Sequence, residues 1–202
     1  GTGLKVVTLN VYAGNSVTLT SDLIVNELCS LMSGTLMLSG NDLTINGNVA
    51  ASGNGSVSST ATSNVTINTS GGTTGTINFS GAAIVNNLTV NVGTDNQAKI
   101  GGNLKVNGAL QLTSGALNCN NTTLTINGTI SGSGTLSGTN TTDLLCTTVG
   151  GIATPIKFAA GGQLVHNLNV NVGSGNSCGL GSDLTVNGTL ALNNGSNCNM
   201  NG

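Results

Sequence analysis

The stretch Asn103–Asn120 reads NLKVNGALQLTSGALNCN. Leu104 and Val106 alternate with polar neighbours, as do Leu110 and Leu112, then Leu117 and Cys119. An apolar residue at every second position is the period of a β-strand that buries one face. The dipeptides NG and SG separate the three pieces and mark tight turns. No window carries the 3.6-residue spacing of a helix, and Gly, Asn, Ser and Thr are poor helix formers. Three short strands therefore fit into about twenty residues.

The same phrase recurs along the chain as Asp/Asn, Leu, any residue, Val/Ile, Asn. It reads DLIVNE at Asp22, DLTING at Asp42, NVTINT at Asn64, NLTVNV at Asn87 and NLKVNG at Asn103. It continues as TLTING at Thr123, NLNVNV at Asn167 and DLTVNG at Asp183, with degenerate copies TLNVYA at Thr8 and DLLCTT at Asp143. The leading aliphatics of the ten copies lie 14, 20, 22, 23, 16, 20, 20, 24 and 16 residues apart. These spacings themselves repeat, in a super-repeat of about 80 residues that carries Leu88 onto Leu168 and Leu104 onto Leu184. Phe79 and Phe158 coincide in it. Tandem units of three short strands describe an all-β chain, a parallel β-solenoid (β-helix). Reading one copy as one rung gives about ten rungs in a single domain over 1–202, with super-repeats near 1–87, 88–167 and 168–202. At about 4.8 Å per rung the rod is about 45–50 Å long.

Composition agrees with narrow, tightly cornered rungs. Gly 32, Asn 31, Thr 29 and Ser 20 make 112 of 202 residues, while aromatics are 1% and charged residues 5%. Gly and Asn tolerate the positive φ of tight corners. Hydrophobic residues at 37% and a mean hydropathy of +0.22 point to order rather than disorder. A net charge of −2 without a basic patch lacks the electrostatic term of nucleic-acid binding. One His excludes His-rich metal centres. No apolar run reaches the roughly 18 residues of a membrane helix. The chain opens at Gly1 rather than Met and reads as a processed product or an excerpt.

Several residue columns invite a functional reading. Asn follows the motif in eight copies: Asn26, Asn46, Asn68, Asn91, Asn107, Asn127, Asn171 and Asn187. Stacked in register, these amides form a structural corner ladder; the competing reading is a ligand-binding stripe. Cys29, Cys119, Cys146 and Cys178 occupy positions that are aliphatic in sister copies, so they are expected inward, unpaired and free of metal. Cys198 leaves an odd count, which admits a thiol between subunits. Asp22, Asp42, Asp143 and Asp183 precede the leading aliphatic and read as turn residues at strand starts. Asp22 and Asp42, on consecutive copies, are placed to share a cation, but elsewhere the position is mostly Asn or Thr, so no continuous calcium site follows. With no Arg, one Glu and a solitary His166, no catalytic constellation assembles. No enzyme activity, catalytic residue, cofactor or metal is expected. Thr44, Thr89, Thr125 and Thr185 follow the leading aliphatic, which keeps open an outward Thr/Asn face that binds ice or glycan.

The segments SDLTVNGTLAL, NTTLTINGTISGSGTLSG and IKFAAGGQLVHNLNVNVG resemble the tandem repeats of large secreted surface proteins of Bacteroidota, which commonly carry a type IX secretion sorting domain. The resemblance covers nearly the whole chain and implies export and a cell-surface or fibre role; it transfers no catalytic residue, and the cysteines depart from it. The expected function is a structural repeat module of an extracellular filament or cell-surface adhesin. Its expected partner is a further copy or further repeats of the same polypeptide, without nucleic acid or membrane insertion.

Overall fold

The computed structural model describes residues 3–12, 14–50 and 53–200; the Ala13 end of the copy TLNVYA lies outside them. The described residues are all β with no helix, and every recorded strand pair is parallel. The strands stack as a β-solenoid of about ten turns. Each turn visits three faces in the same order. Face 1 begins with Leu4–Val11 and Leu23–Leu31, continues through Leu43–Ile45, Val65–Ile67, Leu88–Asn91 and Ala109–Ser114, and reaches Thr129–Ser131. Ile152–Ile156 packs next to Thr129–Ser131 and carries this face to Ser177–Leu180 and Asn197–Met200. Face 2 takes the second half of the long strands, where Cys29 stands between Leu9 and Val49. It continues through Thr76–Asn78, Gln97–Gly101, Ala116–Asn118 and Thr135–Ser137 to Phe158. Face 3 rises from Ser16–Thr18 through Thr35–Met37 and Ser56–Ser58 to Phe79, then from Ala83–Val85 to Leu190–Leu192.

Inward aliphatics from all three faces form one continuous core from Val11 to Leu180. It is built mainly of Val, Leu and Ile, with Cys29, Cys119, Cys146, Cys178, Phe79 and Phe158 among them, and a single register runs up each face, as in Leu23, Leu43, Val65, Leu88 and Leu110. Corners are short turns closed by backbone bonds to the third residue, such as Thr122 N–H to Cys119 O and Thr142 N–H to Thr139 O. Asn121 takes φ 57° at one of them, the left-handed conformation that Asn tolerates best after Gly.

One expectation is corrected. A motif copy is not a rung, and the ten copies do not share one column. Leu23, Leu43, Val65 and Leu88 stack on face 1, whereas Leu104, Leu124, Leu144 and Leu168 stack on face 3. The Asp183 copy stands elsewhere again, with Thr185–Val186 over Leu164–Val165. Leu9 is no founder of the column: Leu4 pairs with Leu23, and Leu9 pairs with Cys29 on face 2. The true turn is the register step, 22 residues from Leu88 to Leu110 and 20 from Leu104 to Leu124. The 16-residue step from Leu88 to Leu104 is a passage between faces within a turn.

The super-repeat therefore does not close on a whole number of turns. Leu88, Leu110, Ile130 and Ile152–Ile156 mark three turns on face 1. The chain then passes face 2 at Phe158 before reaching Leu168, the repeat equivalent of Leu88, on face 3. Each super-repeat spans three turns and two thirds, and equivalent sequence lands on a different face.

Close approach of turns fixes some glycines absolutely. A Cβ on Gly128 would collide with the Gly108 carbonyl oxygen one turn below, whereas a Cβ on exposed Gly71 meets nothing within 4 Å. Gly128→Ala is expected to cost about 2 kcal/mol or more in urea unfolding, and Gly71→Ala to stay within about 0.5 kcal/mol.

Candidate functional site

The asparagines are placed in separate ladders. On face 1, Asn46 Nδ2 donates to Asn26 Oδ1 (3.1 Å), Asn68 to Asn46 (3.3 Å) and Asn91 to Asn68 (2.8 Å). Ser114 Oγ continues the run onto Asn91 Oδ1 at 2.6 Å. On face 3, Asn127 donates to Asn107 (3.4 Å), and Thr147 Oγ1 to Asn127 (3.1 Å). Asn171 receives the Asn194 amide at 2.8 Å. Asn187 stands apart, because its strand stacks on Leu164–Val165; its backbone N–H donates to Val165 O. Splitting follows from the rotation of the super-repeat.

A second ladder went unforeseen as a contact between turns. It is formed by the residue before the leading aliphatic. Asp22 Oδ1 accepts the Asp42 N–H (3.0 Å), and Asp42 Oδ1 accepts both the N–H and the Nδ2 of Asn64 (2.9 Å each). Asn64 Oδ1 accepts the Asn87 N–H (3.2 Å) and Nδ2 (2.8 Å), together with Asn86 Nδ2 (3.2 Å). Asn87 Oδ1 then accepts the Ala109 N–H at 2.7 Å. Face 3 repeats the device, with Thr123 N–H on Asn103 Oδ1 and Thr189 N–H on Asn167 Oδ1. Each side chain caps a corner N–H of the turn above, a donor that would otherwise lack a partner. The recurrence of Asp or Asn at this position was the available signal. His166, half exposed, belongs here too: its Nδ1 lies 3.3 Å from Asp143 Oδ1, which also accepts Asn167 Nδ2 at 2.8 Å.

Cys29, Cys119, Cys146 and Cys178 are buried and Cys198 is half-buried. Burial in the aliphatic core pushes the Cys29 and Cys119 thiols up to about 12. Cys146 lies between Ile126 and Val170 in its column, and its Sγ is 3.3 Å from Cys178 Sγ. The hydrogen bond between the two thiols, together with burial, holds Cys146 well above the usual thiol range; the same bond lowers Cys178. The 32-residue separation of this pair matches no repeat period. Among the described residues, no group of three or more His, Cys, Asp or Glu is placed to hold a metal.

The outward surface is mixed. The file beside the face 1 core reads Lys5, Ile24, Thr44, Thr66, Thr89, Gln111, Ser131, so three threonines stack in succession. Thr125 is in another file, between Lys105 and Leu145, and Thr185 in a third. A shallow groove of about 470 Å³ crosses successive turns beside Asn96, Ser114, Gly134 and Thr135. Among the described residues, no helix is long and apolar enough to cross a membrane. Compared with protein-family models, curated proteins and solved structures, the chain matches none.

Two outcomes follow from the ladders and thiols. Asn64→Ala strips the partner from the Asn87 N–H and leaves Asp42 with one donor fewer. It is expected to cost about 1–3 kcal/mol in chemical unfolding, more than Asn68→Ala at about 1 kcal/mol or less in the exposed ladder. Cys29 and Cys119 ionise only near 12 when folded, against 9.0 as free groups. A raised folded value means that their contribution is complete below 9.0 and is lost as pH climbs toward 12. Thermal melts from pH 8 upward are expected to fall more steeply for the native chain than for a Cys29→Val, Cys119→Val double variant.

Proposed function

We propose that this chain is a structural segment of an extracellular filament or cell-surface adhesin, with further turns stacked on both its ends. The observation that carries this reading is the state of the core at those ends. Leu4 is 58% exposed and Leu190 51%, although the residues stacked on them, Leu23 and Leu168, are 2% and 1% exposed. Val7, Tyr12, Leu192 and Met200 are exposed as well. A terminal turn also presents unpaired strand N–H and C=O groups, which template another parallel strand. The covering turns come from the same polypeptide or from a second copy joined head to tail, a heterologous contact that generates a fibre. Low charge leaves little repulsion against such packing. The resemblance to exported tandem-repeat proteins supports the same placement outside the cell. The role is mechanical, with no catalytic step, cofactor, nucleic acid or membrane insertion.

The polar groove beside Asn96 and Ser114 favours a second reading, glycan binding through hydroxyl and amide groups. A glycan array separates it from the first: saturable binding abolished by Gln97→Ala and Thr135→Ala would support the second.

Sedimentation velocity over a wide concentration range tests the structural reading. The native chain is expected to form rods that lengthen with concentration, and a Leu190→Lys, Leu192→Lys variant to shorten them. A strictly monomeric native chain at the highest concentration would contradict the head-to-tail stacking of copies.

A further inference from the structure

We propose that Cys146 and Cys178 form a disulfide that ties successive turns together, and that Cys198 delivers the oxidising equivalent to them. Their sulfurs already lie 3.3 Å apart inside the core. A disulfide bond is about 2.05 Å long, so closure needs an approach of about 1.2 Å. The two come from different turns: Cys146 stacks beneath Val170, and Cys178 lies on the next strand after Val170. The bond would clamp the Ser177–Leu180 turn to the turn that holds Asp143–Cys146.

Both partners are 0% exposed, so a soluble oxidant has no direct access to them. Cys198 supplies the route. It is half-buried and stacks on Cys178 in parallel register. Neighbouring strands are about 4.8 Å apart, within the Cα separation of about 4.4–6.8 Å that a disulfide accepts.

The co-reactant is a low-molecular-weight disulfide such as oxidised glutathione. Cys198 thiolate attacks one of its sulfurs and releases the first glutathione thiolate. Cys178 thiolate attacks Cys198 Sγ in the mixed disulfide and releases the second. Cys146 then attacks Cys178 Sγ, displaces Cys198 as thiolate and passes its proton to it. Two protein thiols are oxidised, one glutathione disulfide is reduced to two thiols, and Cys198 is regenerated. Cys29, between Leu9 and Val49, and Cys119 in the core stay thiols. This inference is independent of the filament reading.

The intact chain is incubated with oxidised glutathione, alkylated in denaturant and digested without reduction. Trypsin cuts at Lys157, between the two cysteines, and fragmentation of the linked peptides assigns the sulfurs. The expected product is lighter by about two daltons, the two hydrogens lost. It carries a Cys146–Cys178 link, with Cys29, Cys119 and Cys198 alkylated. Cys198→Ser is expected to slow closure at least about tenfold. Five alkylated cysteines, or a stable Cys178–Cys198 bond as the final product, would overturn the pairing; this readout needs no variant. A Cys198→Ser chain that closes at the native rate would overturn the delivery role.

Discussion

Parallel backbone hydrogen bonding sets the distance from one turn to the next at about 4.8 Å, and the rest of the structure answers to that spacing. At this separation a side chain must share its column with a neighbour of similar width. Leu, Val and Ile fill the inward columns, and the two phenylalanines occupy repeat-equivalent sites at Phe79 and Phe158. Corners face the same constraint without regular strand pairing. Side chains do the work there: an Asp or Asn oxygen from one turn caps an N–H of the next, as from Asp22 up to Ala109. Where turns approach most closely, as at Gly108 and Gly128, no Cβ fits.

Direction matters within these ladders. Asn both accepts and donates and can stand anywhere in a file. A carboxylate only accepts, so Asp serves where the residue above donates, as Asn64 does to Asp42 and Asn167 to Asp143. Chemistry of this kind accounts for acids at strand starts without assigning them a ligand.

The alternation in Asn103–Asn120 was enough to read strand, turn and parallel stacking. The asparagines were legible as a ladder-forming type, and the inward setting of Cys29, Cys119, Cys146 and Cys178 followed from the aliphatic residues of sister copies. Column membership was not legible in the motif. Local similarity makes Leu88 and Leu104 look like successive rungs, but vertical neighbours are set by backbone pairing, which puts Leu110 over Leu88. The steps of 14 and 16 were the warning, being shorter than a three-strand turn. The Cys146–Cys178 approach was hidden for a related reason. It crosses a corner between faces, and no periodicity reports such a contact. Rotation of the super-repeat also shows why the outward surface is mixed: Thr44 and Thr125 are equivalent in the super-repeat yet lie in different files. A chain organised in this way spreads its repeated chemistry around the rod.

The central claim, that the turn is the register step and not the motif copy, is tested most directly by spin labels at outward positions. Labels at Thr89 and Gln111, stacked in register, are predicted to lie about 5 Å apart and to show strong spin exchange. Labels at Thr89 and Lys105, on adjacent motif copies but different faces, are predicted to show none. Strong exchange in the second pair with none in the first would contradict the account.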